Sequence, residues 1–289
     1  MTKSIVQRLS GKSLQRLQGN AFSYILLIAG AAVFLIPLAW LVSTALGTAQ
    51  AAVLVPHNFL PWPLHFENFP NALSSFPFHI YLVNTLIVTV LGVLGTLLSV
   101  SLVAFGFARL RFRGRDILFL VLLSTIMIPG QVLLVPTFIE FKTIGWYDTL
   151  FPLWIPQWFA VNAFGVFLMR QFIMTIPLDL DDAARIDGAN TLQVYWHIIL
   201  PNSVPILTTL GVLSFLGNWN DFLGPLIYIS TPAKQTFALA LAALPGQFYT
   251  NYNYAMAATL AFMLPCVVIF FIAQRYLIRG LAMTGMGGR

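Results

Sequence analysis

The stretch PLDLDDAARIDGANTLQVYWHIILP, Pro177 to Pro201, concentrates the residues whose types and spacing could do chemistry. Asp179, Asp181 and Asp182 open a short helical stretch, where carboxylates complement the positive end of the helix dipole. Ala183 and Ala184 give that helix a small, smooth face, and Gly188 breaks it as glycine does at a helix C-terminus. Asn190 with Gln193 three residues on has the spacing of a capping box for a second short helix. Leu192, Val194, Trp196 and Ile198–Leu200 make this second part apolar, and Pro201 and Pro205 punctuate its end. The pattern predicts a rigid helix–turn–helix, and a rigid element outside a membrane can transmit force where a floppy loop cannot. The bland alternative is an amphipathic helix resting on lipid. Clustered carboxylates on an anionic leaflet argue against it.

A second group is uncharged and polar within apolar surroundings: Asn84, Gln131, Asn162, Asn218 and Asn220, with Trp219 beside the last two. Asp221 is the only charge well inside an apolar run. Such groups at membrane depth either line a path for a polar solute or hydrogen-bond one helix to another.

Other chemistry is excluded. His57, His65, His79 and His197 lack metal-ligand spacing, and the histidines near the first long loop read as solvated. No Ser–His–Asp or paired-carboxylate site stands out, so no catalytic residues are assigned. No G-x-x-x-x-G-K-[ST] phosphate loop is present, so the chain does not hydrolyse ATP itself. The single cysteine, Cys266, sits in an apolar run and permits no disulfide within the chain.

The elements that must position these residues are membrane helices. Of 289 residues, 58% are hydrophobic and 8% charged, too little charge for a water-soluble surface. Six apolar runs, about 22–46, 81–108, 117–138, 151–169, 203–229 and 256–274, are each long enough to cross a bilayer as a helix. The fourth is the shortest and carries Pro152 and Pro156 near its start. Residues 1–21 read as a cytoplasmic N-terminal segment, 22–280 as the transmembrane domain and 281–289 as a cytoplasmic tail. The net charge of +6 does not imply nucleic acid, because the basic residues form no patch with interleaved aromatics. They occupy alternate loops: Lys3, Arg8, Lys12 and Arg16, then Arg109, Arg111, Arg113 and Arg115, then Arg170 and Arg185, then Arg275, Arg279 and Arg289. Only Lys142 and Lys234 fall on the other side, which puts both termini and the helix–turn–helix in the cytoplasm. Ala49-Gln50-Ala51 mimics a signal cleavage site. The run from Tyr24 to Leu46 is nonetheless too long for a signal core and reads as an uncleaved anchor.

The first outer loop, about 47–80, carries five prolines from Pro56 to Pro77. Trp62, Phe66, Phe69 and Phe76 are expected at the membrane interface. The third, about 230–255, holds a tyrosine-rich stretch, Tyr249 to Tyr254, read either as an interfacial belt or as contact with an outer protein. An ion-coupled secondary transporter is the rival reading. It would want buried ionisable relays and two related halves, and only Asp221 qualifies. A membrane scaffold is the third, and the elaborate cytoplasmic segment argues against it. A co-encoded ATPase gene would separate a force-transmitting role for the helix–turn–helix from both.

Asp182-Ala183-Ala184, then Gly188, then Ile198, Leu200 and Pro201 resemble the EAA loop of permeases of ATP-binding-cassette (ABC) importers. That pattern is Glu-Ala-Ala, three residues, Gly, nine residues, Ile-x-Leu-Pro; Asp182 stands where the family has Glu. The extended run AARIDGA, Ala183 to Ala189, resembles the carbohydrate-uptake branch (maltose, glycerol-phosphate and oligosaccharide type). LHFENFPNAL (64–73), AFGFARLRFRGRD (104–116), FLMRQFIMTIPLDL (167–180) and FLGNWNDFLGPLI (215–227) are similar to that branch too.

The resemblance implies an all-α type I importer permease with six transmembrane helices, multi-pass in the bacterial inner membrane. Residues 171–202 would be its coupling loop, with Asp182, Ala183, Ala184, Arg185, Asp187, Gly188, Ile198, Leu200 and Pro201 as the ATPase-coupling residues. Asp182 would pair with a basic residue of the ATPase, the alanines would permit close packing, and Gly188 would make the turn. The implied partners are a second, homologous permease, two cytoplasmic ATPase subunits holding ATP and Mg, and an extracytoplasmic solute-binding protein. The cargo would be a carbohydrate, for which Trp219 offers a stacking platform. No cofactor or metal is expected on this chain.

Overall fold

The computed structural model of the chain describes residues 2–50, 59–247 and 251–285, with side chains described over 23–50, 59–243 and 251–274. Pro56, His57, Tyr249 and Arg289 lie outside the described residues, as do the side chains of Lys3, Arg8, Lys12, Arg16, Arg275 and Arg279. Among the described residues every regular element is helical. Helix α1 spans Thr2–Leu46 and α2 Asn68–Ser74; α3 follows at Phe78–Arg109, α4 at Arg115–Thr125 and α5 at Gly130–Thr143. After α6 (Phe151–Trp154) and a 3₁₀ turn (Ile155–Phe159) come α7 (Ala163–Thr175), α8 (Leu178–Ile186) and α9 (Thr191–Val194). A π turn (Tyr195–Ile199) leads through α10 (Leu200–Asn202) to α11 (Val204–Trp219). The chain closes with α12 (Leu223–Tyr228), α13 (Phe237–Gln247) and α14 (Tyr252–Gly285).

Four stretches are long and apolar enough to cross a membrane: Ser23–Leu46, Phe78–Arg109, Phe151–Thr175 and Tyr252–Gln274. Two bent pairs raise the number to as many as six, α4 with α5 at 97° and Thr191–Asn202 with α11 at 78°. Large apolar side chains stand outward along them, Phe34 at 85% exposure and Ile117 at 69% among them. Water would not tolerate so much apolar surface, and hydrocarbon does.

Three of the expected runs are not single helices. The third breaks at Ile126–Pro129, because proline lacks the N–H that would continue the ladder and disfavours helical conformation in the residue before it. The fourth is interrupted by the 3₁₀ turn and by Ala160 at φ +54°, then runs past residue 169 to Thr175. The fifth ends at Trp219 and restarts as α12. The expected third loop contains the apolar helix α13, and the N-terminal segment is continuous with the first span as one helix from Thr2.

The chain divides into two compact units. One comprises Met1–Ala72 and Phe248–Leu260. Its core is a contact of fully buried alanines, Ala45, Ala72 and Ala257, with Phe69 and Tyr254 packed on it. Buried Asn68 donates to the carbonyls of Ala45 (2.8 Å) and Gly47 (2.9 Å) and accepts from Asn253 (3.0 Å). His65, expected to be solvated, pairs with Glu67 at 2.6 Å. Trp62 and Phe66 are exposed. Phe69, half-buried, packs on the alanine core.

The other unit comprises Leu73–Gln247 and Ala261–Arg289. Helix α3 is its axis. Thirty-two residues make it about 48 Å long at the helical rise, more than the hydrocarbon thickness. Its buried face is largely small and hydroxylated, with Thr85, Thr89, Gly92, Gly95, Thr96, Ser99, Ser101 and Ala104 beside the larger Tyr81, Val88, Val100 and Phe105. Small residues let helices approach without hydrophobic drive in lipid. A Cβ on Gly95 would collide with the Trp158 ring, which occupies the space glycine leaves. Phe76, half-buried, packs against the cluster of Tyr81, Phe237, Trp219 and Phe262. The loop before α6 is tied to the one after α12 through Asp148, itself at φ +57°. Its carboxylate accepts from the Ser230 and Thr231 N–H groups, the Thr231 hydroxyl and the Lys234 ammonium.

Candidate functional site: the Pro177–Pro201 segment

The predicted helix–turn–helix is present, and each local device is visible. Pro177 precedes α8, and Asp179 and Asp181 occupy its first turn. Gly188 adopts φ +87° and donates to the Arg185 carbonyl (3.0 Å), while Ala189 donates to Ala184 (2.9 Å). This pair of bonds is a Schellman motif, which requires a left-handed residue where glycine stands. The capping box forms as expected. Gln193 N–H donates to Asn190 Oδ1 (2.9 Å), and Asn190 N–H to Gln193 Oε1 (2.7 Å). Ser203, fully buried between Pro201 and Pro205, marks the 78° bend into α11.

One side of the segment is locked inward. Val194, Tyr195 and Ile199 are buried in a cluster with Val100, Ala104 and Phe105 of α3 and Val166, Met169 and Ile173 of α7. The Tyr195 hydroxyl lies 2.7 Å from that of Ser101, and its ring 5.4 Å from Phe105. Ala184, Ile198 and Leu200, half-buried, pack against the same cluster. The opposite side is open. Asp182, Ala183, Arg185, Ile186, Asp187, Gly188 and Pro201 are exposed. Asp182 approaches Arg185 only to 3.9 Å, leaving its carboxylate free for a stronger partner. The motif positions therefore split into two jobs: some fasten the segment to the span helices, and the rest form its outward face.

Sequence reasoning missed three features. Asp181 is not part of the outward carboxylate cluster: it is buried in an ion pair with Arg109, Nε to Oδ2 2.9 Å. Arg109 also donates through Nη2 to the Ile176 carbonyl at 2.7 Å. Ile186 is 86% exposed, an apolar knob at the end of α8. The helical period held the signal for the first: of three carboxylates within one turn, one must face the span helices.

The polar candidates at span depth are not brought together. Asn84 donates to the carbonyls of Ala233 and Gln235. Asn162 caps α7 by accepting from Gly165 N–H (2.8 Å). Asp221 accepts from Gly224 N–H (3.1 Å) at the start of α12. Asn218 joins Gln157, Thr96 and Ser214 in a hydrogen-bonded network between α3, the 3₁₀ turn and α11; the sequence reading did not single out those three partners. Gln131 and Asn220 remain exposed. Trp219 corrects the expectation of a stacking platform. It is 1% exposed, its ring stacked between Phe215 and Phe262 at 5.4 Å each, and its N–H is given to the Phe262 carbonyl. Both faces are covered by protein. Among the described residues no His/Cys/Asp/Glu group has metal-holding geometry.

Span-length broken helices packed on α3, with a helix–turn–helix fastened to them, are the architecture of a polytopic membrane protein. The chain belongs to the family described as "Binding-protein-dependent transport system inner membrane component", which matches residues 95–283. It is 33% identical over 268 residues to the sn-glycerol-3-phosphate transport system permease protein UgpE of Shigella flexneri, covering 90% of this chain and 95% of that one. It is 30% identical over 253 residues to the probable ABC transporter permease protein YurM of Bacillus subtilis, covering 87% and 83%. Its fold is shared with a chain of a bacterial ABC transporter involved in the import of the acidic polysaccharide alginate. There the TM-score is 0.78 at 24% identity, covering 89% of this chain and 96% of that one.

Proposed function

We propose that the chain is half of the translocation pathway of an ATP-driven importer for a carbohydrate or similarly polyhydroxylated solute. It couples to a cytoplasmic ABC ATPase through the Pro177–Pro201 segment. One observation carries the reading: the exposed face Asp182-Ala183-Arg185-Ile186-Asp187-Gly188 stands on a segment whose other face is locked into the α3–α7 cluster. A docked partner can push such an element without deforming it. Asp182 pairs with a basic residue of the ATPase, Ala183 allows close approach, and Ile186 supplies an apolar anchor. ATP and Mg are held by two ATPase subunits. Their closure tips this chain and a second, homologous permease between inward- and outward-open arrangements, a rigid-body switch.

The relative named for sn-glycerol-3-phosphate transport and the fold neighbour named for alginate import support the cargo class. An extracytoplasmic binding protein delivers the solute, in keeping with the family description. The loop charges support cytoplasmic termini and six crossings of a bacterial plasma membrane. The exposed candidates Gln131 and Asn220 serve the solute route, while Asn84, Asn162, Asn218, Trp219 and Asp221 hold the framework.

Co-purification with the products of neighbouring genes tests this. The native chain brings down an ATPase and a second permease, and Asp182→Arg loses or uncouples the ATPase. A chain that purifies alone and moves solute down an ion gradient overturns the proposal in favour of a secondary transporter.

A further inference from the structure

The Arg109–Asp181 pair is unlike the rest of the contact that fastens the helix–turn–helix to the span helices. Both side chains are nearly sealed from solvent, at 4% and 3% exposure. Arg109 is the last residue of α3, and it reaches two other elements. Its Nε faces Asp181 of α8, and its Nη2 holds the carbonyl of Ile176, the capping residue just after α7. Three helix ends thus meet on one guanidinium. The other links are apolar packing and the Ser101–Tyr195 hydroxyl contact. Apolar packing is non-directional and lets surfaces slide. A planar guanidinium has a fixed fork of donors and sets both distance and angle.

Stability is a poor explanation for the pair. Burying two opposite charges costs desolvation that their attraction seldom exceeds, and apolar side chains of similar volume commonly serve as well. Here the case is weaker still. The Nε–H is not aligned for a hydrogen bond to the carboxylate, and Asp181 Oδ1 is buried with no partner among the described residues. A cluster of eleven buried apolar side chains already holds α3, α7 and the π turn together, and half-buried Ala184 of α8 packs against it. What the ion pair adds is register.

We propose that Arg109 and Asp181 are positioning residues that form a buried strut, making α8 and the end of α3 move as one body. The stroke of a docked ATPase then reaches the span helices through this pair. The inference rests on the coupling role proposed above and deepens it. Asp182 and its exposed neighbours meet the partner; Arg109 and Asp181, facing the other way, carry its motion inward. No ATPase contact is assigned to either strut residue.

The test uses the whole complex in lipid nanodiscs, with the second permease and the ATPases. A cysteine replaces exposed Gln131 in a Cys266→Ala background, and a membrane-impermeant maleimide reports its accessibility with and without ATP plus vanadate. The double variant Arg109→Met/Asp181→Leu keeps the volume and removes the charges. The strut predicts that this complex retains its ATPases and its thermal stability while the nucleotide-driven change in labelling falls about five- to tenfold. Arg109→Lys, which keeps the charge and loses the fork, recovers only part of the response. If the double variant does not assemble, Asp181→Asn, isosteric and uncharged, is held to the same expectation. A native-sized response in the double variant overturns the strut and leaves the coupling reading standing. So does loss of response that only tracks loss of assembled complex in both Arg109→Met/Asp181→Leu and Asp181→Asn. A native complex whose labelling ignores nucleotide, or that never assembles with an ATPase, overturns the coupling reading and the strut with it.

Discussion

Replacing Gly188 by alanine isolates one physical cost at the turn on which the outward face depends. No heavy atom lies within 4 Å of the Cβ position, so the substitution meets no steric obstacle. The backbone is at φ +87°, where a side chain crowds its own carbonyl at a cost of roughly 1–2 kcal/mol. Two hydrogen bonds report on the turn, Gly188 N–H to Arg185 and Ala189 N–H to Ala184. If the cost falls on this turn, its opening equilibrium rises roughly 5- to 30-fold. The assay is amide hydrogen exchange over a peptide spanning residues 183–190, where protection should fall by that factor. Gly188→Asn should recover most of the protection, because asparagine tolerates the left-handed region. Gly106→Ala is the control: it also has open space at Cβ but lies within helix α3, where alanine costs nothing and gains roughly 0.5–1 kcal/mol. Equal protection in Gly188→Ala and the native chain refutes the reasoning, as does an asparagine variant no better than alanine.

Three further outcomes follow from the packing. Trp219→Ala should cost roughly 3–5 kcal/mol by cavity formation, read as a large fall in thermal midpoint in detergent; unchanged stability with lost solute binding would restore the stacking role. Gly95→Leu should also lower the midpoint sharply, since even a Cβ collides with the Trp158 ring, and adding Trp158→Ala should recover part of the loss. Asp148 is held well below the usual carboxylate range, first by the Thr231 N–H and hydroxyl and the Lys234 ammonium, with Ser230 N–H adding to them. A depressed folded value means that the stabilisation is present above the unfolded value of about 3.9 and is lost as pH falls toward the folded one. Limited proteolysis of the 144–150 and 230–235 loops should therefore show protection from neutral pH to about pH 4 and its loss on further acidification, and Asp148→Asn should abolish that acid step.

Much of this was legible before any coordinates. The helix–turn–helix announced itself because its signals are local: Gly188, Asn190 and Gln193 act on backbone groups within a few residues of themselves. The apolar runs announced the membrane, because hydrocarbon sets a length that composition must meet. The family followed from the spacing of Asp182, Gly188 and Pro201 on those two grounds. Tertiary structure decided whatever depends on which neighbour a side chain meets. Asp181 and Asp182 are adjacent carboxylates of similar propensity, yet one is sealed against Arg109 and the other open to solvent. Trp219 looked like a platform because a tryptophan beside asparagines suits a ring-bearing solute. Its faces were already taken by Phe215 and Phe262, the latter more than forty residues away in sequence. The breaks at Ile126–Pro129 and Asn220–Phe222 lie inside runs that hydropathy reads as continuous, since apolar character does not record direction. Sequence alone determined the local turns, the solvent the chain belongs in and the family. Pairing across the fold, which needs contacts between residues distant along the chain, belonged to the tertiary structure.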